Sequence, residues 1–405
     1  ANRNLSREEG FTVKINFPKG SVNYPFDHDG ITRKVKDNLD YILLPLSLLI
    51  GLFYYFISWK KYGVDPRKKA IIPRFDAPKD FSPAAVGILF DKSFSNKLFT
   101  TSIVSLGVKG YLKIVEGEEG ILIFKTTSYT LEKLKEADDS LPSEERLIMD
   151  RLLKNQDSYR IKSEYSPTFA GLISSFTSTV KEEYLDKNYK FNLIVSFIGF
   201  GIMALFYILA FVVSGSYENY ILPTITAVLA TLFFTYLFSN ILGGQRLIIS
   251  YLSFFALILV SVFILVVTFF TSILTFWPEL FVLLSSILIG LFTILIQKPT
   301  EEGQHKIEEI EGFKMYLEAA EVPDLEIINR EHPKTLDIFQ KYLPFAIALG
   351  VETKWTSQFE DQINRAKLEG DDNTFLWYAG SSAFFNTNTM NSFTSSIGST
   401  ISSAS

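Results

Sequence analysis

Five long stretches of the chain carry no Asp, Glu, Lys, Arg or His, namely 41–59, 191–217, 219–245, 247–278 and 280–297. A hydrocarbon core of about 30 Å needs about 20 helical residues, so each stretch is long enough to span, the shortest only just. The pattern therefore predicts five transmembrane helices. The stretch 247–278 has two readings, one long tilted helix or a helix followed by an interfacial piece, because Phe276 and Trp277 before Pro278 suit a tight turn at the headgroups. Near the start, Phe11, Val13, Ile15 and Phe17 alternate with Thr12, Lys14 and Asn16, which predicts one strand closed by Pro18, Lys19 and Gly20. The chain opens on Ala1 with no signal peptide, which predicts a processed product or a chain whose beginning has been removed, the strand belonging to a β-rich domain mostly absent.

Between the first two stretches the pattern changes to that of a globular α+β segment. Ser82 before Pro83 is an N-cap followed by proline at the first helical position. A second helix starts near Lys97 and ends at Gly110. Residues 111–115 and 121–125 read as two strands joined by a loop over 116–120. Helices followed by a hairpin describe a winged helix, and 142–153, 159–162 and 169–188 suggest a second, degenerate copy. After the last stretch, Phe313, Tyr316, Leu317 and Ala320 share one helical face. Thr335 caps a helix carrying Leu336, Phe339, Leu343 and Ile347, kinked at Pro344 and closed by Gly350. The uncharged 343–350 either dips into a leaflet or forms a small cytoplasmic core with Trp355 and Phe359, and the core is favoured. Leu343, Pro344, Phe345, Ile347, Trp355 and Phe359 are thus the candidate domain-docking or protein-contact residues. The final 27 residues hold 13 Ser or Thr and no charge, which predicts a flexible tail over 373–405.

Charge orients these pieces. The 405 residues carry a net charge of −5, and the mean hydropathy is +0.19. Lys and Arg flank the 60–190 side and the 298 side, whereas 214–218 and 275–279 contain neither; Arg33, Lys34 and Lys36 oppose the trend. Since Lys and Arg stay on the cytoplasmic side, the N-terminus is placed outside, and 60–190 and the C-terminus inside. Residues 60–190 hold 22 basic against 19 acidic side chains, and 298–372 hold 9 against 17, so the two blocks are weakly complementary. Neither is polybasic, and the wing loop Glu116, Gly117, Glu118, Glu119, Gly120 carries the wrong charge for phosphate, so no nucleic-acid partner is expected.

Chemistry is sparse. With no Cys there is no disulfide framework or thiol nucleophile, and His305 among Glu301, Glu302, Glu308 and Glu309 reads as a solvated helix start more readily than a metal site. No nucleophile elbow, phosphate loop or zincin spacing occurs, and Glu144 and Glu145 read as surface charges at adjacent, diverging positions. No cofactor is called for, and the chain reads as a non-enzyme.

The residues Lys61, Tyr62, Gly63, Val64, Asp65, Pro66, the Ser82-Pro83-Ala84 helix start, Gly110-Tyr111-Leu112, and the motifs GFKMYLEAAE and YLPFAIALGVETKW resemble the DUF2207 family of YciQ-like membrane proteins. The resemblance covers nearly the whole chain. It departs at Val64 and Phe345, where the family more often has Arg and Tyr, and in a tail rich in Ser and Thr where relatives often run to Gly. It implies a multi-pass protein of the bacterial plasma membrane lacking most of its outer domain, with no catalytic residues to carry over and a LemA-like membrane protein as a candidate partner besides lipid.

The fold expected is an α-helical integral membrane protein of about five transmembrane helices with a cytoplasmic winged-helix-like α+β region and a small helical C-terminal cytoplasmic domain. Its divisions are 1–40, an outer remnant and linker; 41–59, the first span; 60–190, the winged-helix-like region; 191–297, four further spans; 298–372, the helical domain; and 373–405, the tail. The function expected is a membrane scaffold or signalling and assembly subunit of the bacterial envelope. The alternative is a transporter component or a membrane-tethered DNA-binding regulator.

Overall fold

The computed structural model describes residues 16, 18, 38–67, 69–119, 126–162, 164–214, 273–319, 335–368, 375–380 and 387–404. The strand expected over 10–17, the span over 219–245 and most of that over 247–278 lie outside these residues. So does the expected strand over 121–125.

Helix α1 (Leu39–Tyr62) is almost wholly apolar and ends on Lys60 and Lys61. An extended segment then leads to α2 (Pro83–Asp91), where the Ser82 hydroxyl accepts the Ala85 N–H at 3.0 Å and Pro83 occupies the first turn. Helix α3 (Asn96–Val108) follows, and the chain reverses at Gly110, whose φ of 78° is the left-handed conformation that glycine adopts without strain. Strands β1 (Leu112–Glu119) and β2 (Thr126–Lys133) form an antiparallel hairpin with Leu112 opposite Lys133. The hairpin is longer than expected. Glu116, Glu118 and Glu119 lie within β1, where cross-strand bonding to Tyr129, Thr127 and Thr126 extends the pairing.

After α4 (Ser143–Leu152), strand β3 (Ser158–Ile161) pairs with β2, so this segment widens the first sheet. Helix α5 (Pro167–Val180) runs into a π-helical turn, Lys181–Leu185. Strand β4 (Tyr189–Lys190) precedes α6 (Leu193–Ser214), and α7 (Ile273–Leu295) precedes β5 (Lys298–Pro299), which pairs with β4. Ile42–Tyr62 and Leu193–Val213 are long and apolar enough to cross a membrane, and Pro278–Thr293 is a shorter apolar helix. The turn expected over 275–279 is instead helical. Pro278 falls early in α7, where only one intrahelical donor is lost, and Glu279 is buried within the helix.

The three apolar helices form a bundle. Tyr55 is fully buried, stacks on Phe292 with ring centroids 5.1 Å apart, and donates to the Ser196 carbonyl at 2.9 Å. Leu49, Phe53, Ile194 and Phe197 point outward and are exposed, as a lipid-facing surface requires. At one end of the bundle Asn192, with φ of 47°, donates from its amide to the carbonyls of Tyr62 at 3.1 Å and Ile296 at 3.0 Å. One side chain thereby satisfies carbonyls at the ends of α1 and α7, which have no helical partner of their own. The Thr300 N–H donates to the Asn188 carbonyl at 2.8 Å, and a side chain at Gly303 would collide with that carbonyl.

Helices α8 (Glu301–Glu318), α9 (Leu336–Leu349), α10 (Glu352–Ser357) and α11 (Glu360–Leu368) complete the globular part. Thr335 caps α9 and Gly350 closes it with φ of 70°. Helix α9 lies across α2 and α3, so that residues from 84–189 and 310–404 share one apolar interior. Trp355 is fully buried at its centre, 4.8 Å from Phe359 and 5.7 Å from Tyr316 between ring centroids, and donates its indole N–H to the Phe339 carbonyl at 3.1 Å.

The tail departs from the flexible segment expected. Strand β6 (Tyr378–Ala379) adds in parallel to β1, giving the order β3-β2-β1-β6, and Thr387–Ala404 forms helix α12. Met390, Phe393, Ile397, Ile401 and Ala404 are buried on one face of it. These residues recur at 3, 4, 4 and 3 positions, so a helical stripe lies within the Ser/Thr-rich composition that suggested mobility.

Replacing Trp355 by Ala leaves a cavity where α9, α10 and α8 meet and is expected to cost about 3–5 kcal/mol. Limited proteolysis of the variant in detergent should cleave faster between Glu301 and Leu368 while α1 and α6 stay inserted. Cleavage at the wild-type rate would show that Trp355 does not organise this interior.

Candidate functional site

A cleft of about 1140 Å³ opens where these helices meet. The approach to α2, the end of α3, the approach to α4 and the π-helical turn form one wall, and α9 with Leu376 and Trp377 forms the other. Trp377 is fixed by its indole N–H, which donates to Gln340 Oε1 at 2.9 Å, and by contact with Gly107.

Behind the first wall lie Glu144 and Glu145, both fully buried. Expecting them at the surface was wrong. In α4 the positions 144, 148 and 152 and the positions 145 and 149 fall on one stripe with buried Ile148, Met149 and Leu152, so helical periodicity points both carboxylates inward. Glu145 is compensated: Lys109 Nζ lies 2.6 Å from its Oε2, and the Ser105 hydroxyl donates to its Oε1 at 2.7 Å. A buried carboxylate with a cation and a hydroxyl donor is the arrangement that offsets desolvation.

Among the described residues no cation pairs with Glu144. Tyr184 donates its hydroxyl to Oε2 at 3.3 Å, and Oε1 has no hydrogen-bond partner. Burial is the main cause that raises its carboxyl above the ordinary value, and the neighbouring Glu145 and Glu183 act in the same direction. The Tyr184 hydroxyl is likewise pushed up, by burial first and then by the Glu144 and Glu183 carboxylates. Tyr184 and Glu183 belong to the π-helical turn, and Ser143 donates to Glu183. Such turns often mark functional positions. The arrangement can hold a proton at Glu144 beneath a cleft lined by Ser82 and Tyr184.

The residues singled out from the sequence divide between two places. Leu343, Ile347, Trp355 and Phe359 are fully buried in the shared interior. Pro344 and Phe345 border the cleft. Lys109, Glu144, Glu145 and Tyr184 were not among the candidates, although the stripe through α4 was a readable signal for the two carboxylates. His305 Nδ1 lies 3.4 Å from Glu309, which also meets Arg74 at 3.1 Å. Among the described residues no three His, Cys, Asp or Glu side chains are grouped to ligate a metal.

Compared with known proteins, residues 71–247 and 239–359 match the family model described as the predicted membrane protein (DUF2207) C-terminal domain. Neither the curated proteins nor the solved structures supply a match.

The raised carboxyl of Glu144 has a pH consequence of definite sign. Its folded form favours the proton more than the unfolded chain does, so stability is greatest below the unfolded value and falls as pH rises through the folded one. Glu144→Gln keeps an acceptor for Tyr184 without the charge. A thermal-melt series from acidic to neutral pH should show a decline for wild type that is flatter in Glu144→Gln. Parallel slopes in the two proteins would mean that Glu144 is not held protonated.

Proposed function

We propose that this chain, which belongs to the DUF2207 family of predicted membrane proteins, is a multi-pass scaffold or signalling and assembly subunit of the bacterial envelope. The globular part faces the cytoplasm and presents the cleft to a protein partner. The observation that carries the reading is the Asn192 junction, where one amide joins the ends of α1 and α7 at the start of α6. Asn192 lies a short stretch of chain beyond β4 and the π-helical turn that borders the cleft, which gives a displacement of the apolar helices a short route to the cleft wall. Five spans with the N-terminus outside suit the charge asymmetry and the apolar stretches of the sequence.

The DNA-binding alternative is disfavoured by α3, the helix that would enter a groove. Every residue from Leu98 to Gly107 is buried beneath α9 and its neighbours, and a reading helix must expose its side chains to bases. The reading assigns no catalytic step to the chain.

Site-specific photo-cross-linking in cells tests this reading. A photoreactive residue at Leu134 or Leu376, both exposed at the cleft, is expected to give a discrete adduct that one at exposed Leu368 does not. In intact cells an impermeant thiol reagent should leave Leu376→Cys unlabelled. No discrete adduct, or the same adduct from Leu368, would contradict the partner reading, and labelling from outside would reverse the topology.

A further inference from the structure

The chemistry of the cleft narrows the kind of partner. Three carboxylates line it, Asp80, Glu183 and Asp337, and none is ion-paired with a basic side chain among the described residues. Two lysines line it as well, but Lys109 is committed to Glu145 at 2.6 Å. Lys341, whose ammonium sits 5.0 Å from the Tyr342 ring centroid, is the second. The lining is thus one uncommitted cation against three carboxylates, with Glu144 Oε1 unpartnered and fully buried behind Ser82 and Tyr184.

Apolar groups flank these charges. Leu134 and Leu376 are 56% and 65% exposed, an unusual degree for leucines on a cleft, and Phe81, Pro344 and Phe345 add apolar and aromatic surface. An anionic headgroup or nucleic acid is repelled by such a lining. A volume of about 1140 Å³ is at the top of the range that small-molecule pockets occupy, about 300–1000 Å³, and is wide enough for a length of chain.

We infer that the cleft binds a basic peptide segment of a partner protein, in which Lys or Arg side chains alternate with large aliphatic ones. The ammonium or guanidinium groups face Asp80, Glu183 and Asp337, and the aliphatic groups cover Leu134 and Leu376. This rests on the reading of the cleft as a partner site and adds the partner's chemistry to it.

The test uses the full chain in nanodiscs of zwitterionic lipid and a fluorescein-labelled, acetylated hexapeptide of alternating Leu and Lys, followed by anisotropy. The same peptide with Glu for Lys is the charge control. Asp80→Asn with Asp337→Asn removes two cleft charges, and Asn tolerates the left-handed backbone at position 80, where φ is 62°. Glu360→Gln with Asp361→Asn removes two charges on α11, and neither residue lines the cleft. Far-UV circular dichroism checks that both double variants keep their helix content.

The Lys peptide is expected to bind and the Glu peptide not to. The cleft double variant should lose about tenfold or more in affinity, as removal of two facing charges implies, while the α11 variant stays within about twofold of wild type. Equal binding of the two peptides, an unchanged cleft variant, or an equal loss in the α11 variant would overturn the proposal. Displacement of the peptide by equimolar spermine would do so too, pointing to a small-amine site. A cross-linked partner at Leu376 together with any of these results would leave the partner reading standing and remove only the basic-peptide chemistry.

Discussion

Trp355 is buried among the C-terminal helices, and the helix that satisfies its indole is held against a segment far away in the chain. Its ring meets Phe359 and Tyr316, its N–H is satisfied by the Phe339 carbonyl, and α9, which supplies that carbonyl, lies against α2 and α3. Residues 84–189 are separated from 310–404 by the apolar helices, yet their buried side chains form one contiguous apolar cluster. Small apolar segments are marginal alone because too much of their surface stays wet, and joining them removes that surface. The cleft and the placing of the tail follow from this one seam.

The polar groups inside the site are local to residues 84–189. Where α4 approaches α3, two adjacent glutamates enter the interior with unequal compensation, Glu145 with Lys109 and Ser105, and Glu144 with the hydroxyls of Tyr184 and Ser143. The contrast is set by one cation. Tyr184 lies in the π-helical turn that leads along the chain through β4 to Asn192, so Glu144 and the ends of the apolar helices are joined by a short stretch of chain. In the proposed role, that continuity lets events at the membrane alter the cleft.

Much of the local structure was legible in the residues themselves. Ser82 with Pro83, Thr335 and Gly350 mark helix ends because each supplies a missing donor, acceptor or left-handed angle, and the structure uses all of them. The face of Leu336, Phe339, Leu343 and Ile347 was visible from its spacing. What was not legible came from neighbours distant in sequence. Composition made 387–404 look mobile, but Met390, Phe393, Ile397 and Ile401 are buried on a surface formed chiefly by α3 and α10, with Tyr129 of the sheet beside Phe393. Glu144 and Glu145 looked exposed because charge was weighed above their positions on the α4 stripe. Of the candidate site, Pro344 and Phe345 alone were found beforehand, since a cleft made by seven separate segments has no signature in any of them.

Hydrogen–deuterium exchange of the full chain in nanodiscs tests the shared interior most directly, because amides in one cooperative unit open together. The account predicts that α2, α3 and α9 exchange with the same protection and lose it together as denaturant is added. Exchange of α9 at low denaturant, while α2 and α3 stay protected, would show two independent units and contradict the seam on which the cleft depends.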